Sequence, residues 1–258
     1  MLREEVTKAW PRTGVLAPVA PGGRPASWAA TGRYGGVSRP PFDALNLAAH
    51  VGDDPDAVAA NRELVRRMLG ADDLVVLTAA HGADVVSTDR GGPAPEADAV
   101  IVRSPGLGVL ALGADCVTLA LAGDDDTCVA AVHCGWRGLV SDVVGGALRA
   151  LADLGAGPGA VVVGPAICGA CYPVPPERIV EVRDSCAPAV AAAAVVRCPD
   201  GQPGLDVRAG VLAQLAEWGA DGSIITHLGG CTAEDADLFS HRRHGRTGRQ
   251  GLAIVRHA

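Results

Sequence analysis

Four segments of the chain repeat apolar residues at helical spacing between start and stop signals. The first follows Asp54-Pro55, an N-cap and a first-turn proline, and ends at Gly70. The other three run from GWRG (135–138) to Gly155, from Pro176 to about Cys186, and from Asp206 to Gly219. The pattern therefore predicts four helices. The Ala-rich stretch 187–197 carries weak signals and stays unassigned.

Short apolar runs bounded by Gly, Pro or Asp are typical of strands. Such runs lie at 74–78, 83–88, 97–103, 109–112, 160–164, 223–228 and 252–256. Residues 27–55 show little periodicity, and residues 1–26 predict a loosely held N-terminal arm or a short edge strand. There is no internal repeat and no convincing linker. We therefore expect one α/β (α+β) domain at 27–258, with mixed strands covered by helices.

The runs VTLALA (117–122) and CVAAV (128–132) flank a polar Gly-Asp-Asp-Asp loop and predict a β-hairpin. If the loop is symmetric, Gly123 pairs with Asp126, and Cys116 then lies opposite His133. Directly opposed side chains on one face have Cβ atoms about 4.5–5.5 Å apart. This geometry suits a Cys/His nucleophile pair or two ligands of one soft metal ion.

The net charge of −7 argues against binding to nucleic acid or to an anionic membrane. No apolar run approaches the roughly 18–20 residues that span a bilayer. The N-terminus is a poor signal peptide, so we expect a cytoplasmic location. A chain of 258 residues can bury a hydrophobic core without disulfide bonds. We therefore interpret its eight cysteines as free thiols, some of them metal ligands.

His81 lies in the turn between two predicted strands. Together with Cys116 and His133, it forms the first candidate site. Two imidazoles and a thiolate suit Zn²⁺, with Cu²⁺ as the competing ion. Three protein ligands leave a fourth position for water or substrate. The alternative is a small core cysteine beside two hydrogen-bonded turn histidines.

The motif Cys168-x-x-Cys171 has three possible roles: half of a zinc site, a redox pair, or two packing cysteines. Packing cysteines are favoured because the chain has no second Cys-x-x-Cys to complete a zinc site. The only concentrated basic stretch, 240–250, is either a solvated loop or an anion site. Its candidate substrate-binding residues, with others elsewhere in the chain, are Arg242, Arg243, Arg246, Arg249, Arg33, Arg137 and Asn46.

Several ordered motifs together resemble the YfiH/laccase-domain family, also known as purine nucleoside phosphorylase, "multicopper polyphenol oxidase" or peptidoglycan editing factor. From about Gly32 to the C-terminus they are GGVSRPPFDALNLAAHVGDDPDAVAANR, AAHG, ADCVTLALA, AVHCGWRG, GPAICGACY and SHRRHGRTGR. The resemblance implies a sandwich of mixed β-sheets covered by helices, with zinc on His81, Cys116 and His133. It also implies phosphorolysis of adenosine, inosine and methylthioadenosine, with adenosine deamination in some members. The chain departs from the family pattern at Ala79, Thr118, Cys134, Pro173 and His244.

The leading hypothesis is a zinc-dependent purine nucleoside phosphorylase, a monomer or homodimer whose partners are a purine nucleoside and phosphate. His81, Cys116 and His133 are both its expected metal ligands and its expected catalytic residues. The second hypothesis is a cysteine hydrolase or amidase in which Cys116 is the nucleophile and His133 the base, acting on a peptidoglycan precursor. Copper polyphenol oxidation is disfavoured because seven histidines without a His-x-His pair are few for several coppers. A non-catalytic zinc-stabilised protein would need a fourth protein ligand.

Overall fold

The computed structural model describes residues 10–16 and 25–258 as two six-stranded mixed sheets that pack face to face. In spatial order, the first sheet contains β1 (Arg12–Leu16), β2 (Ala26–Ala30), β14 (Gln250–Arg256), β7 (Leu107–Gly113), β3 (Asp73–Thr78) and β5 (Gly92–Glu96). The second contains β13 (Ile225–His227), β10 (Pro158–Val163), β8 (Val117–Gly123), β9 (Val129–Cys134), β6 (Ala99–Val102) and β4 (Val85–Ser87). A separate two-stranded ribbon joins β11 (Val195–Arg197) to β12 (Pro203–Leu205).

Helices cover both outer faces of this sandwich. Helix α1 (Pro55–Leu69) packs against the first sheet. The second sheet is covered by α2 (Trp136–Val140), α3 (Val143–Asp153), α4 (Pro176–Ser185), α5 (Pro188–Ala194) and α6 (Val207–Glu217). A short helix, α7 (His241–His244), precedes β14. The expected helix-covered sandwich of mixed sheets is confirmed.

The core between the sheets consists of alternating side chains from both inner faces. Val109 and Ile254 of the first sheet and Val129 and Val162 of the second are at most 1% exposed. Because successive strand residues point to opposite faces, the other residues of the same strands form two further cores beneath the helices. No helix among the described residues is long and apolar enough to cross a membrane.

Three of the predicted helices match the structure. The Asp54 carboxylate accepts a bond from the Asp56 backbone N–H at 3.0 Å, and Gly70 ends α1 at φ 71°. Asp206 caps α6 in the same way, through the backbone N–H of Ala209. The single helix predicted after GWRG is wrong. The segment is divided into α2 and α3, because Asp142 takes φ 57° and its carboxylate caps α3 by accepting the backbone N–H of Gly145.

The hairpin of β8 and β9 forms, but its register differs from the symmetric prediction. Gly123 N–H donates to the Cys128 carbonyl, so the loop contains four residues and His133 pairs with Thr118 rather than Cys116. The shift is two residues, and side chains alternate with a period of two, so Cys116 stays on the face of His133 as its diagonal neighbour. The strands β2, β5, β11 and β12 were not expected from the pattern.

Candidate active-site pocket and metal centre

Three side chains with metal-binding atoms meet at one end of the hairpin. Their donor atoms, one each from His81, Cys116 and His133, all lie within 4.8 Å of one another. Strand β9 carries His133, Cys116 immediately precedes β8, and His81 occupies the turn after β3 at φ 61°. The two imidazole rings meet edge to face with centroids 4.8 Å apart. The three residues that the sequence indicated are therefore brought together.

Asp98, fully buried just before β6, fixes the two histidines. Its carboxylate lies 2.9 Å from Nδ1 of His133 and accepts the backbone N–H groups of His81 at 3.0 Å and Gly82 at 2.7 Å. The bond to Nδ1 leaves Nε2 of His133 available to a metal, an arrangement common around metal-binding histidines. Asp98 was not among the predicted site residues, although an acid inside the apolar run 97–103 is a visible signal.

Without a metal, the three residues form a charged cluster. Burial acts to raise the pKa of Cys116, but the neighbouring His133 and His81 outweigh it and lower that pKa to about 6. Burial acts to lower the pKa of His133, while Cys116 and Asp98 raise it to about 9. Between these values the metal-free pair is a thiolate beside an imidazolium. Such a thiolate is both a good nucleophile and a good metal ligand.

Gly135 brings the backbone close to the cluster. A Cβ atom on Gly135 would lie 3.1 Å from Sγ of Cys116 and 3.6 Å from Cδ2 of His81. A side chain at this position would crowd the donors, and glycine avoids that crowding. With its two nitrogens, one sulfur and a carboxylate behind His133, the donor set fits Zn²⁺.

The cluster lies in the wall of a cavity of about 310 Å³, which is within the usual size range of small-molecule pockets. Apolar and aromatic residues form part of the wall: Leu77, Leu112, Ile167, Val207, Trp136 and Tyr172. Basic residues contribute another part: His50, His241, Arg242 and Arg249. Burial first, followed by the charge of Arg249, lowers the pKa of His50, which favours its neutral form. Arg242 and Arg249 supply positive charge to the cavity wall, which favours an anionic ligand.

Asp115, beside Cys116, connects the cavity to the C-terminal loops. Its carboxylate accepts the hydroxyls of Thr232 at 2.6 Å and Ser240 at 2.7 Å, and the backbone N–H of Arg242 at 2.6 Å. Asp115 itself has φ 114°, a backbone conformation that is rare outside glycine. These three bonds hold the unusual conformation and set the position of Cys116 relative to Arg242.

The other expected substrate-binding residues lie outside the cavity wall. Arg33 forms an ion pair with Asp43 at 3.2 Å. Asn46 is fully buried and bonded to protein groups, including the backbone N–H of Arg249 at 2.9 Å. Arg137 is exposed on α2, and Arg243 donates to the carbonyls of three residues, at 233, 235 and 238. Of the seven candidate substrate-binding residues, Arg242 and Arg249 line the cavity.

Comparison with known proteins is consistent with this fold. A family model described as multi-copper polyphenol oxidoreductase laccase matches residues 27–257. A purine nucleoside phosphorylase of Streptomyces coelicolor is 46% identical over 226 residues, covering 85% of this chain and 90% of the relative. A crystal structure of a Neisseria meningitidis protein has a TM-score of 0.80 at 28% identity, covering 95% of this chain and 99% of that one. The hypothetical protein YfiH of Bacillus licheniformis has a TM-score of 0.81 at 25% identity, covering 89% and 92%.

Proposed function

The chain belongs to the multi-copper polyphenol oxidoreductase laccase family, and we propose that it is a purine nucleoside phosphorylase that holds Zn²⁺ on His81, Cys116 and His133. One observation carries the proposal: the three-donor cluster and two arginines line the same cavity. The name of the Streptomyces coelicolor relative, a purine nucleoside phosphorylase, supports the same activity.

Three protein donors leave a fourth coordination position, which is typical of catalytic rather than structural zinc. Zn²⁺ bound there supplies Lewis-acid polarisation or a water of lowered pKa. The residues of this chain orient and retain the ion. Asp98 holds the His133 ring and the turn that carries His81, and the thiolate of Cys116 supplies the negative charge.

Arg242 and Arg249 are the expected phosphate ligands because guanidinium groups bind oxyanions through paired hydrogen bonds. The Arg242 guanidinium lies 4.9 Å from the centroid of the Tyr172 ring, which holds the arginine against the apolar wall. The purine base would occupy that apolar wall, with its ribose directed toward the phosphate. Phosphorolysis needs this arrangement, because the phosphate oxygen must approach the ribose carbon that bears the base.

To test the proposal directly, zinc-loaded protein is incubated with adenosine, inosine or methylthioadenosine in the presence of phosphate. Chromatography should show the free purine base and the corresponding sugar 1-phosphate, and omission of phosphate should abolish both. His81→Ala should lose the activity together with one equivalent of zinc. Absence of the free base from all three nucleosides with zinc bound would refute the proposal. Inosine formed from adenosine in the same assay would reveal deamination as an additional activity.

A cysteine hydrolase is the second candidate, favoured by the lowered pKa of Cys116 beside His133. Alkylation separates the two because a ligated thiolate resists iodoacetamide and a free catalytic thiolate reacts rapidly. Protection of Cys116 by stoichiometric Zn²⁺, with phosphorolysis retained, supports the phosphorylase. Rapid alkylation of Cys116 in the zinc-loaded protein, with loss of an amidase activity, would favour the hydrolase.

A further inference from the structure

A second group of metal-binding side chains forms outside the cavity wall. Cys168 and Cys171 come from the loop after β10, and Cys231 and Glu234 come from the loop after β13. One donor atom from each residue lies within 4.8 Å of all the others. The sequence showed only half of this group because 60 residues separate Cys171 from Cys231.

The backbone explains why the two halves meet. Ala166 and Cys231 form a parallel β-bridge, and the backbone N–H of Thr232 donates to the Ala166 carbonyl at 3.2 Å. Within each half, a turn closes between residues three apart. Cys171 N–H donates to the Cys168 carbonyl at 3.0 Å, and Glu234 N–H donates to the Cys231 carbonyl at 3.0 Å. Each turn places its two side chains on the same side, facing the other half.

We propose that Cys168, Cys171, Cys231 and Glu234 form a second, structural metal site that takes a thiophilic divalent cation such as Zn²⁺. Three sulfurs and one carboxylate oxygen provide a complete four-ligand set, as structural zinc sites do. A zinc–sulfur distance of about 2.3 Å places tetrahedral donors about 3.8 Å apart, so the donors need to contract by only about 1 Å. All eight cysteines, these three included, are free thiols in the structure.

Two details support ligation rather than simple packing. The backbone N–H of Cys168 points at Sγ of Cys231 at 3.3 Å, a contact that stabilises a thiolate ligand. Among the ion pairs of the described residues none includes Glu234, and its carboxylate accepts a hydrogen bond from Sγ of Cys171 at 3.4 Å. Binding of the cation displaces the thiol protons to solvent, so the site needs no oxidant or reductant.

The site would stabilise the cavity without contacting substrate. Ile167 and Tyr172, next to the two cysteines of the first half, line the cavity. Thr232, next to Cys231, donates its hydroxyl to Asp115 at 2.6 Å. An ion here would therefore connect the two loops that support the cavity, and it is independent of the phosphorylase proposal.

The site is tested by measuring the zinc content of the protein by inductively coupled plasma mass spectrometry. The protein is first reduced, loaded with Zn²⁺ and desalted. We expect two equivalents per chain in the wild type and one in Cys231→Ser, with a lower melting temperature. Cys186→Ser is the matched control. Its thiol contacts the Leu139 carbonyl at 3.8 Å outside both clusters, so it should retain two equivalents. Equal zinc contents in the wild type and Cys231→Ser would overturn the proposal.

A second measurement covers the case in which Cys231→Ser does not fold. Co²⁺ added to His81→Ala should give a strong thiolate-to-cobalt charge-transfer band from the second site, and Glu234→Gln in the same background should weaken Co²⁺ binding. No band in His81→Ala, or a mass lower by two hydrogens that shows a disulfide among these cysteines, would contradict the proposal. Loss of phosphorolysis in His81→Ala with this band retained separates the two sites.

Discussion

Asp98→Asn is the most informative single substitution because it keeps the shape of the side chain and removes one acceptor and the charge. The Asp98 carboxylate bonds Nδ1 of His133 at 2.9 Å and the backbone N–H groups of His81 and Gly82 at 3.0 and 2.7 Å. An amide offers one acceptor oxygen, and its NH₂ group must face at least one of these donors.

Two losses follow from this geometry. The amide no longer supports the imidazole as a carboxylate does, and loss of such a partner lowers metal affinity about 10–100-fold, or about 1.4–2.7 kcal/mol. The unpaired buried donor costs about 1–3 kcal/mol in the free energy of unfolding of the metal-free protein. For a chain of this size, each kcal/mol lowers the melting temperature by about 2–4 °C.

Zinc affinity is measured by competition with a chromophoric chelator, and stability by thermal unfolding of the metal-free protein. Asp84→Asn is the control, because Asp84 is exposed and accepts the backbone N–H of Asp98 through its backbone carbonyl, which the substitution keeps. We expect the control to match the wild type in both assays. A folded Asp98→Asn protein whose zinc affinity stays within twofold of the wild type would refute the role assigned to Asp98.

Three further predictions concern the cavity and the scaffold. Alkylation of Cys116 in metal-free protein should be half-maximal at about pH 6, because the neighbouring histidines lower its pKa to that value, and a midpoint near the ordinary value of 9.0 would contradict the cluster. Arg242→Gln should raise the KM for phosphate about 10–100-fold with little change in kcat, because it loses about 1.5–3 kcal/mol of charged hydrogen bonding. The control, Arg183→Gln on the exposed face of α4, should leave both KM and kcat unchanged. Asp54→Ala should destabilise α1 by about 1 kcal/mol in urea unfolding, and no change would show that the cap is dispensable.

Local chemistry made most elements of the fold predictable. The caps at Asp54 and Asp206 and the alternating apolar runs indicate helices and strands without knowledge of the rest of the chain. That Cys116 and His133 share a face of the hairpin was also predictable, because side chains alternate with a period of two and a register shift of two residues leaves each on the same face. The exact pairing did not follow, since it depends on which residues close the loop at 124–127.

The supporting residues depend on contacts between distant parts of the chain. Strand β2 carries no clear sequence signal and exists because β1 and β14 pair with it on both sides. Asp98 approaches His133 only through the pairing of β6 with β9, and Cys231 reaches Cys168 only through the bridge to Ala166. The sequence by itself therefore determined the local elements and the three metal-binding side chains of the cavity. Tertiary structure decided which acid orients them, which arginines line the cavity and which cysteines complete a second cluster, because those choices depend on strand pairing between residues far apart in the chain.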